Sequence, residues 1–149
     1  MAKDLVMGIY VDFMGTIGMG MKEEMDYIQT MFEEYFPNIK FLFKRELHPE
    51  HLKQTPVDLY VFDWGGVLPG CDRLTETIYN SLVEQIGEKP NTLFVIWSHN
   101  SEYYYKEEIA QAFPKEEDKK FHNVLFRGGV GDSTKFWDAV KLWIGEGTK

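Results

Sequence analysis

The residues TLFVIW at positions 92–97 decide the fold class of this chain. The run is apolar after its threonine and consists mainly of β-branched and aromatic side chains, so it predicts a strand with both faces buried. Such strands are typical of the centre of a parallel sheet, where helices cover the two faces. The segments around this run should therefore alternate between strands and helices.

Strand-like and helix-like segments do alternate on either side of this run. Short apolar runs with polar or glycine-containing ends predict the other strands, at residues 5–11, 38–43, 57–62 and 123–126. Apolar stripes at helical spacing predict helices at residues 22–36, at 72–86 with Gly87 as the stop, at 101–113, and in a last helix that Ser133 caps and Gly145 ends. Between the second and third strands, His48-Pro49-Glu50-His51-Leu52 supplies only a short turn of helix.

The order of these segments predicts one α/β domain that spans residues 1–149. Alternating strands and helices form parallel sheets with right-handed crossovers. Five strands favour the order 2-1-3-4-5 of the flavodoxin-like fold, a three-layer arrangement with helices on both faces of the sheet. A length of 149 residues suits a single domain, and 44% hydrophobic residues are sufficient for a substantial core.

Composition and charge restrict the classes of partner. With 24 acidic and 16 basic residues the net charge is -8, so phosphate contacts to nucleic acid are not expected. The densest basic group, Lys40, Lys44 and Arg45, is interpreted as a solvated face. The lone Cys71 excludes an intramolecular disulfide, and no signal peptide or apolar run of membrane length is recognised. We therefore expect a cytoplasmic protein without a membrane partner.

Polar residues follow the predicted strands where a doubly wound sheet binds its ligand, beyond the carboxyl ends near the first and third strands. Asp12 follows the first strand, Asp63 the third, Ser98 the fourth and Arg127 the fifth. Two nearby carboxylates favour a bound Mg²⁺ or a shared proton, so Asp12 and Asp63 are the predicted metal ligands. Asp63, Ser98 and Arg127 form the predicted catalytic group, in which the Ser98 hydroxyl contacts a phosphoryl oxygen and Arg127 offsets negative charge from the far side. The alternative is that these residues are ordinary polar strand ends.

A glycine-containing loop precedes the first predicted helix. Gly15, Thr16 and Gly18 are the predicted cofactor-binding residues, because backbone N–H groups at a helix start can hold a phosphate. The loop matches neither the P-loop nor the dinucleotide-binding pattern, and the simpler interpretation is that its glycines allow a sharp turn. The four histidines are too scattered for a metal motif and are interpreted as surface or loop residues: His48, His51, His99 and His122.

The middle of the chain resembles that of a response-regulator receiver domain. Residues 58–64, DLYVFDW, and residues 68–74, LPGCDRL, are similar to the receiver pattern, in which a phosphoacceptor Asp ends the third strand before a Met-Pro-Gly turn. The resemblance implies that Asp63 is the phosphoacceptor, Ser98 the hydroxyl after the fourth strand and Asp12 the acidic group after the first. It also implies Mg²⁺ as the cofactor and another protein as the partner.

The same segment is similar to two motifs of haloacid-dehalogenase-like phosphatases. Residues 62–68, FDWGGVL, are similar to their first motif, whose Asp is the nucleophile, and residues 95–100, VIWSHN, are similar to their second. This resemblance implies Asp63 as the nucleophile and, in a circularly permuted order, Asp12 as the last acidic group. Gly65 stands where the acid/base Asp of the first motif is expected.

Three hypotheses for the function follow from these observations. The leading one is a divergent receiver-like signalling or regulatory domain that acts by protein interaction and has a magnesium-binding acidic pocket. It departs from the receiver pattern at Phe13, where a second acid is expected, and at Arg127-Gly128, where Lys-Pro is expected. The alternatives are a permuted or degenerate haloacid-dehalogenase-like phosphatase and a non-enzymatic adaptor that keeps only the fold. The sequence does not indicate the partner, the substrate or the oligomeric state.

Overall fold

The computed structural model describes residues 4–11, 21–63, 73–97, 122–127 and 134–147. The strands are β1 (Leu5–Val11), β2 (Phe41–Arg45), β3 (Leu59–Asp63), β4 (Leu93–Trp97) and β5 (Val124–Arg127). The helices are α1 (Met21–Tyr35), α2 (Arg73–Glu88) and α3 (Thr134–Gly147), with a short 3-10 helix (Pro49–Lys53) between β2 and β3. The predicted helix at 101–113 and the predicted cap Ser133 lie outside the described residues, as do Cys71 and His99.

The strands form one parallel sheet in the order β2-β1-β3-β4-β5, which confirms the predicted topology. β4 is buried along its whole length, in agreement with the unbroken apolar run that predicts it. The strand order reverses between β1 and β3. In open parallel sheets the ligand crevice lies at such a reversal, beyond the carboxyl ends of the strands.

Two hydrophobic clusters use alternate residues of the strands, because successive side chains of a strand point to opposite faces. The first cluster packs α1 and α3 against one set of strand residues, with helical members Met25, Ile28, Phe32, Phe136, Trp137, Val140 and Ile144. The second packs α2 and the 3-10 helix against the other set, with helical members Leu52, Leu82 and Ile86. Helical side chains therefore contact both sets of alternating strand residues.

Two predicted helix ends are wrong by a few residues. Gly87 and Gly145 were expected to end their helices, yet α2 continues to Glu88 and α3 to Gly147. A glycine inside a helix costs only about 1 kcal/mol, which the packing of the remaining residues outweighs. Within the described ranges, no helix has the length and apolar character needed to cross a bilayer.

The second strand begins and ends later than its predicted range of 38–43. After α1 the chain turns, and the N–H of Ile39 donates to the carbonyl of Phe36 over 3.1 Å. Residues that take part in this turn cannot also pair with β1. The ladder to β1 therefore starts at Phe41 and runs on to Arg45, which pairs with Ile9.

The link between β2 and β3 contains the short helical segment that was predicted. His48 caps this 3-10 helix, and its Nδ1 accepts a hydrogen bond from the N–H of Glu50 over 3.3 Å. Leu52 is fully buried in the second hydrophobic cluster. The Nζ of Lys53 lies 3.1 Å from a carboxylate oxygen of Glu84 on α2. The link is therefore packed against α2 although it holds only one short helix.

Three polar residues directly precede β3, β4 and β5, and their side chains hold neighbouring segments together. These residues are called the amino edge of the sheet: Asp58, Thr92 and Asn123. The Asp58 carboxylate accepts a hydrogen bond from the N–H of Val6 over 2.9 Å, and the Thr92 hydroxyl donates to the carbonyl of Val57 over 2.7 Å. The Asn123 amide nitrogen lies within 3.3 Å of three carbonyl oxygens, those of Ile86, Lys89 and Thr92. These side chains join the strands to each other and to the end of α2.

Candidate functional site

The last residues of four neighbouring strands form one row across the sheet. This row is called the carboxyl edge: Val11, Asp63, Trp97 and Arg127. Val11 pairs with Asp63, Asp63 with Trp97, and Trp97 with Arg127. These pairings show no step in register from one strand to the next. Because neighbouring strands lie about 4.8 Å apart, the row is three strand spacings long. The carboxyl edge includes the reversal of strand order between β1 and β3, where a ligand crevice is expected.

The structure places two of the predicted site residues in this row. Asp63 is the last residue of β3, and Arg127 is the last residue of β5. The other predicted site residues lie outside the described residues: Asp12, Gly15, Thr16, Gly18 and Ser98. In the chain, Asp12 directly follows Val11 and Ser98 directly follows Trp97. The adjacency of the first and third strand ends is confirmed, whereas the metal site and the phosphate-binding loop stay predictions.

Arg127 has an environment that is uncommon for a cation. The residue is 8% exposed, and its guanidinium carbon lies over the Trp97 ring, 3.9 Å from the ring centroid. Within the described part of the chain, its Nε has no hydrogen-bond acceptor and no carboxylate forms an ion pair with it. Buried charges are usually paired, because removing them from water is costly. Arg127 therefore has hydrogen-bonding capacity that the described fold does not use.

Trp97 supports this arginine and was missed as a site residue by the sequence analysis, which used it only as the end of a buried strand. It is fully buried, and among the described residues four aromatic rings lie at centroid distances of 6.1 to 6.3 Å from it: Tyr27, Phe32, Phe136 and Trp137. Its indole Nε1 has no hydrogen-bond acceptor among the described residues. The strand pairing with Arg127 is the signal that identifies it, and this signal requires the register of the sheet.

The basic group on β2 is a solvated face, as interpreted from the sequence. Lys40 and Lys44 are exposed. Arg45 forms an ion pair with Asp26 of α1 and donates a second hydrogen bond to the carbonyl of Lys22 over 3.2 Å. Arg45 thus ends its strand as Arg127 does, but it is exposed and paired.

The histidines of the link between β2 and β3 pack against neighbouring aromatic rings and one of them caps a helix. His48 is half-buried, with its ring 5.0 Å from that of Tyr10 and 5.8 Å from that of His51. Burial lowers the pKa of His48, while the nearby Glu50 opposes this shift and His51 adds to it. No group of three or more His, Cys, Asp or Glu side chains in the described ranges is placed to hold a metal ion. His48 therefore serves as a helix cap.

Comparisons of the chain with protein-family models, with curated proteins and with solved structures found no match. The receiver and phosphatase resemblances therefore depend on the quoted motifs alone. The five-stranded parallel sheet is compatible with the flavodoxin-like fold. A shared fold does not select among functions, so the carboxyl edge is the basis for any functional proposal.

Proposed function

We propose that this chain is a divergent receiver-like regulatory domain, which binds Mg²⁺ at the carboxyl edge and acts through a protein partner. One observation supports the proposal above the others: β1 and β3 are neighbours, and Val11 at the end of β1 pairs with Asp63 at the end of β3. Asp12 directly follows Val11 in the chain, which is why it is proposed as the acidic partner of Asp63 at the reversal of strand order.

The residue types at this position fit a hard cation. Mg²⁺ is bound by carboxylate oxygens and retains several water ligands, so two aspartates are a suitable protein contribution. Asp63 and Asp12 are the proposed ligands. A bound Mg²⁺ offsets the negative charge of a phosphoryl group, which is the chemistry that receiver-like regulation requires. Ser98 is the proposed hydrogen-bond donor to a phosphoryl oxygen.

We propose a protein partner because residues 58–64 and 68–74 resemble those of receiver domains. Receiver-like domains act by binding other proteins differently when their acidic site is occupied. The two alternative functions remain distinguishable by experiment. A phosphatase turns over phosphate esters, and an adaptor responds to neither metal nor phosphoryl group.

The test follows the fluorescence of the four tryptophans during titration with Mg²⁺ and then with beryllofluoride, a mimic of the phosphoryl group on Asp. Asp63→Asn removes the proposed ligand. Asp4→Asn is the matched control, because Asp4 is exposed and directly precedes β1, at the opposite edge. We expect a saturable change in the wild type and in D4N, and its loss in D63N.

Two results would contradict the proposal. The absence of any saturable change at millimolar Mg²⁺ favours the adaptor, which keeps only the fold. Steady hydrolysis of p-nitrophenyl phosphate that is lost in D63N favours the phosphatase. An acylphosphate that forms on the wild type when acetyl phosphate donates its phosphoryl group and leaves as acetate, without such turnover and not on D63N, supports the receiver-like function.

A further inference from the structure

Arg127 and Trp97 provide two buried N–H groups at the carboxyl edge that no described residue accepts. Among the described residues, the Arg127 Nε and the Trp97 Nε1 are both buried and both lack a hydrogen-bond partner. Both atoms are N–H donors, since a guanidinium and an indole have no acceptor of this kind. Whatever completes this pair must therefore supply acceptors. A metal ion does not meet this need, because it would require acceptors from the protein.

The position of the ring limits how a ligand can approach. The guanidinium carbon of Arg127 lies over the Trp97 ring, 3.9 Å from the ring centroid, so the ring blocks the approach of a ligand from that direction. The N–H bonds of a guanidinium lie in its own plane and form a fork that matches two oxygens of one carboxylate or phosphate. An oxyanion with two accessible oxygens fits this arrangement better than a single-point acceptor.

The surroundings of the pair make it rigid. Trp97 is in contact with rings from α1 and α3, at centroid distances of 6.3 Å to Phe32 and to Phe136. Arg127 is the last residue of β5 and Trp97 the last residue of β4, so both belong to the ladder of the sheet. Donors fixed in this way bind an anion without a large loss of conformational entropy.

We propose that the Arg127–Trp97 pair is an oxyanion-binding site for the carboxylate or phosphate group of a small ligand. Arg127 lies two strand spacings, about 10 Å, from Asp63 along the row. The site requires neither Mg²⁺ nor Asp63, so it is independent of the metal site proposed above. Its chemistry is that of a charge-assisted hydrogen bond from a buried guanidinium to an anion.

The experiment records ¹H–¹⁵N spectra of the full chain in EDTA, with sodium phosphate or sodium acetate as the probe. Sodium chloride at matched ionic strength is the salt control. The indole signal of Trp97 and the Nε–H signal of Arg127 are the readouts, assigned with the variants W97F and R127K. We expect both signals to shift saturably. Saturation by phosphate alone indicates a phosphate-bearing ligand, and saturation by acetate alone indicates a carboxylate.

Three variants test whether the binding depends on the Arg127 guanidinium. Arg127→Gln should abolish binding, and Arg127→Lys, which keeps the charge but loses the fork, should weaken it by about tenfold. Arg45→Gln is the matched control, because Arg45 also ends a strand but is already paired with Asp26. Binding in R45Q should equal that of the wild type. Far-UV circular dichroism confirms folding, and R127K keeps the test valid if R127Q does not fold.

The outcome that overturns the inference is specific to Arg127. Equal affinities in the wild type and R127K contradict it, as does the absence of saturation at tens of millimolar of either salt. Asp63→Asn should keep the shifts in EDTA while losing its response to Mg²⁺. The oxyanion site and the proposed metal site can therefore fail separately.

Discussion

The amino and carboxyl edges of the sheet use their polar side chains differently. At the amino edge, Asp58, Thr92 and Asn123 each bond to the backbone of another segment, and the one buried atom of these side chains without a partner among the described residues is an acceptor, the Asn123 Oδ1. At the carboxyl edge, Arg127 and Trp97 keep buried donors without acceptors in the described part of the chain. Hydrogen bonds that close the fold stabilise it, whereas buried groups left without partners are costly. The comparison indicates that folding depends on the amino edge and that the carboxyl edge retains capacity for a ligand.

The amino edge should show the largest effect on stability. Asn123→Ala removes an amide that lies 2.9 Å from the carbonyls of both Lys89 and Thr92, and leaves these carbonyls without that donor. We expect the free energy of unfolding to fall by about 3 kcal/mol, because buried polar groups lose their partners. Urea unfolding followed by circular dichroism measures the change.

The matched control for this prediction is Asn91→Ala, since Asn91 is an exposed asparagine in the connection between α2 and β4, which Asn123 contacts through Lys89 and Thr92. It should change the free energy of unfolding by less than about 0.5 kcal/mol. Equal losses in N91A and N123A would show that the amide of Asn123 does not hold this edge. The comparison between the edges would then lose its main support.

The carboxyl edge should respond in the opposite direction. Arg127→Met replaces a buried cation that has no ion pair in the described ranges with an unbranched, apolar side chain. We expect the free energy of unfolding to rise by about 1 kcal/mol, because the desolvation of the charge no longer opposes folding. The same urea experiment measures it, in the absence of phosphate and carboxylate salts.

Arg45→Met controls for the loss of an arginine at a strand end. Arg45 is paired with Asp26 and its side chain is 33% exposed, so its removal should lower the free energy of unfolding by less than about 1 kcal/mol. A clear loss of stability in R127M would indicate that Arg127 already has a counter-ion within the protein. That result would place the arginine among the groups that serve folding.

Most of the fold could be predicted from the sequence, because it depends on local patterns. The run at 92–97 predicts a buried central strand, and the alternation around it leads to the observed order of five strands. Helix ends were less predictable, as Gly145 shows. Gly145 follows the apolar stripe that predicts the last helix, but the helix continues to Gly147.

The candidate site was predicted only in part, because it depends on pairings between distant segments. The sequence indicated that Arg127 ends a strand, but not that Trp97 lies beneath it. That contact depends on the register of β4 with β5, which pairs residues 30 positions apart. The role of Asn123 was missed for the same reason, since its hydrogen bonds reach residues 31 to 37 positions away.

His48 should have a smaller effect on stability than the residues of the two edges. It lies beside Tyr10 near the end of β1, and its Nδ1 already accepts a hydrogen bond in a helix cap. Burial lowers the pKa of His48 below its ordinary value of about 6.5. The unfolded chain therefore binds a proton first as the pH falls. The contribution of His48 to stability is complete above about pH 6.5 and declines below it, towards the lower folded-state pKa.

Urea midpoints measured from about pH 7 to pH 5 test this contribution. His48→Asn keeps a side-chain oxygen that can cap the 3-10 helix but cannot titrate, so the variant should lose part of the decline in stability at acidic pH. His122→Gln, at an exposed position, should keep the wild-type decline. If H48N declines as the wild type does, the burial of His48 does not affect folding. The difference between polar groups that bond within the fold and those that do not would then affect stability at the edges of the sheet but not in the link between β2 and β3.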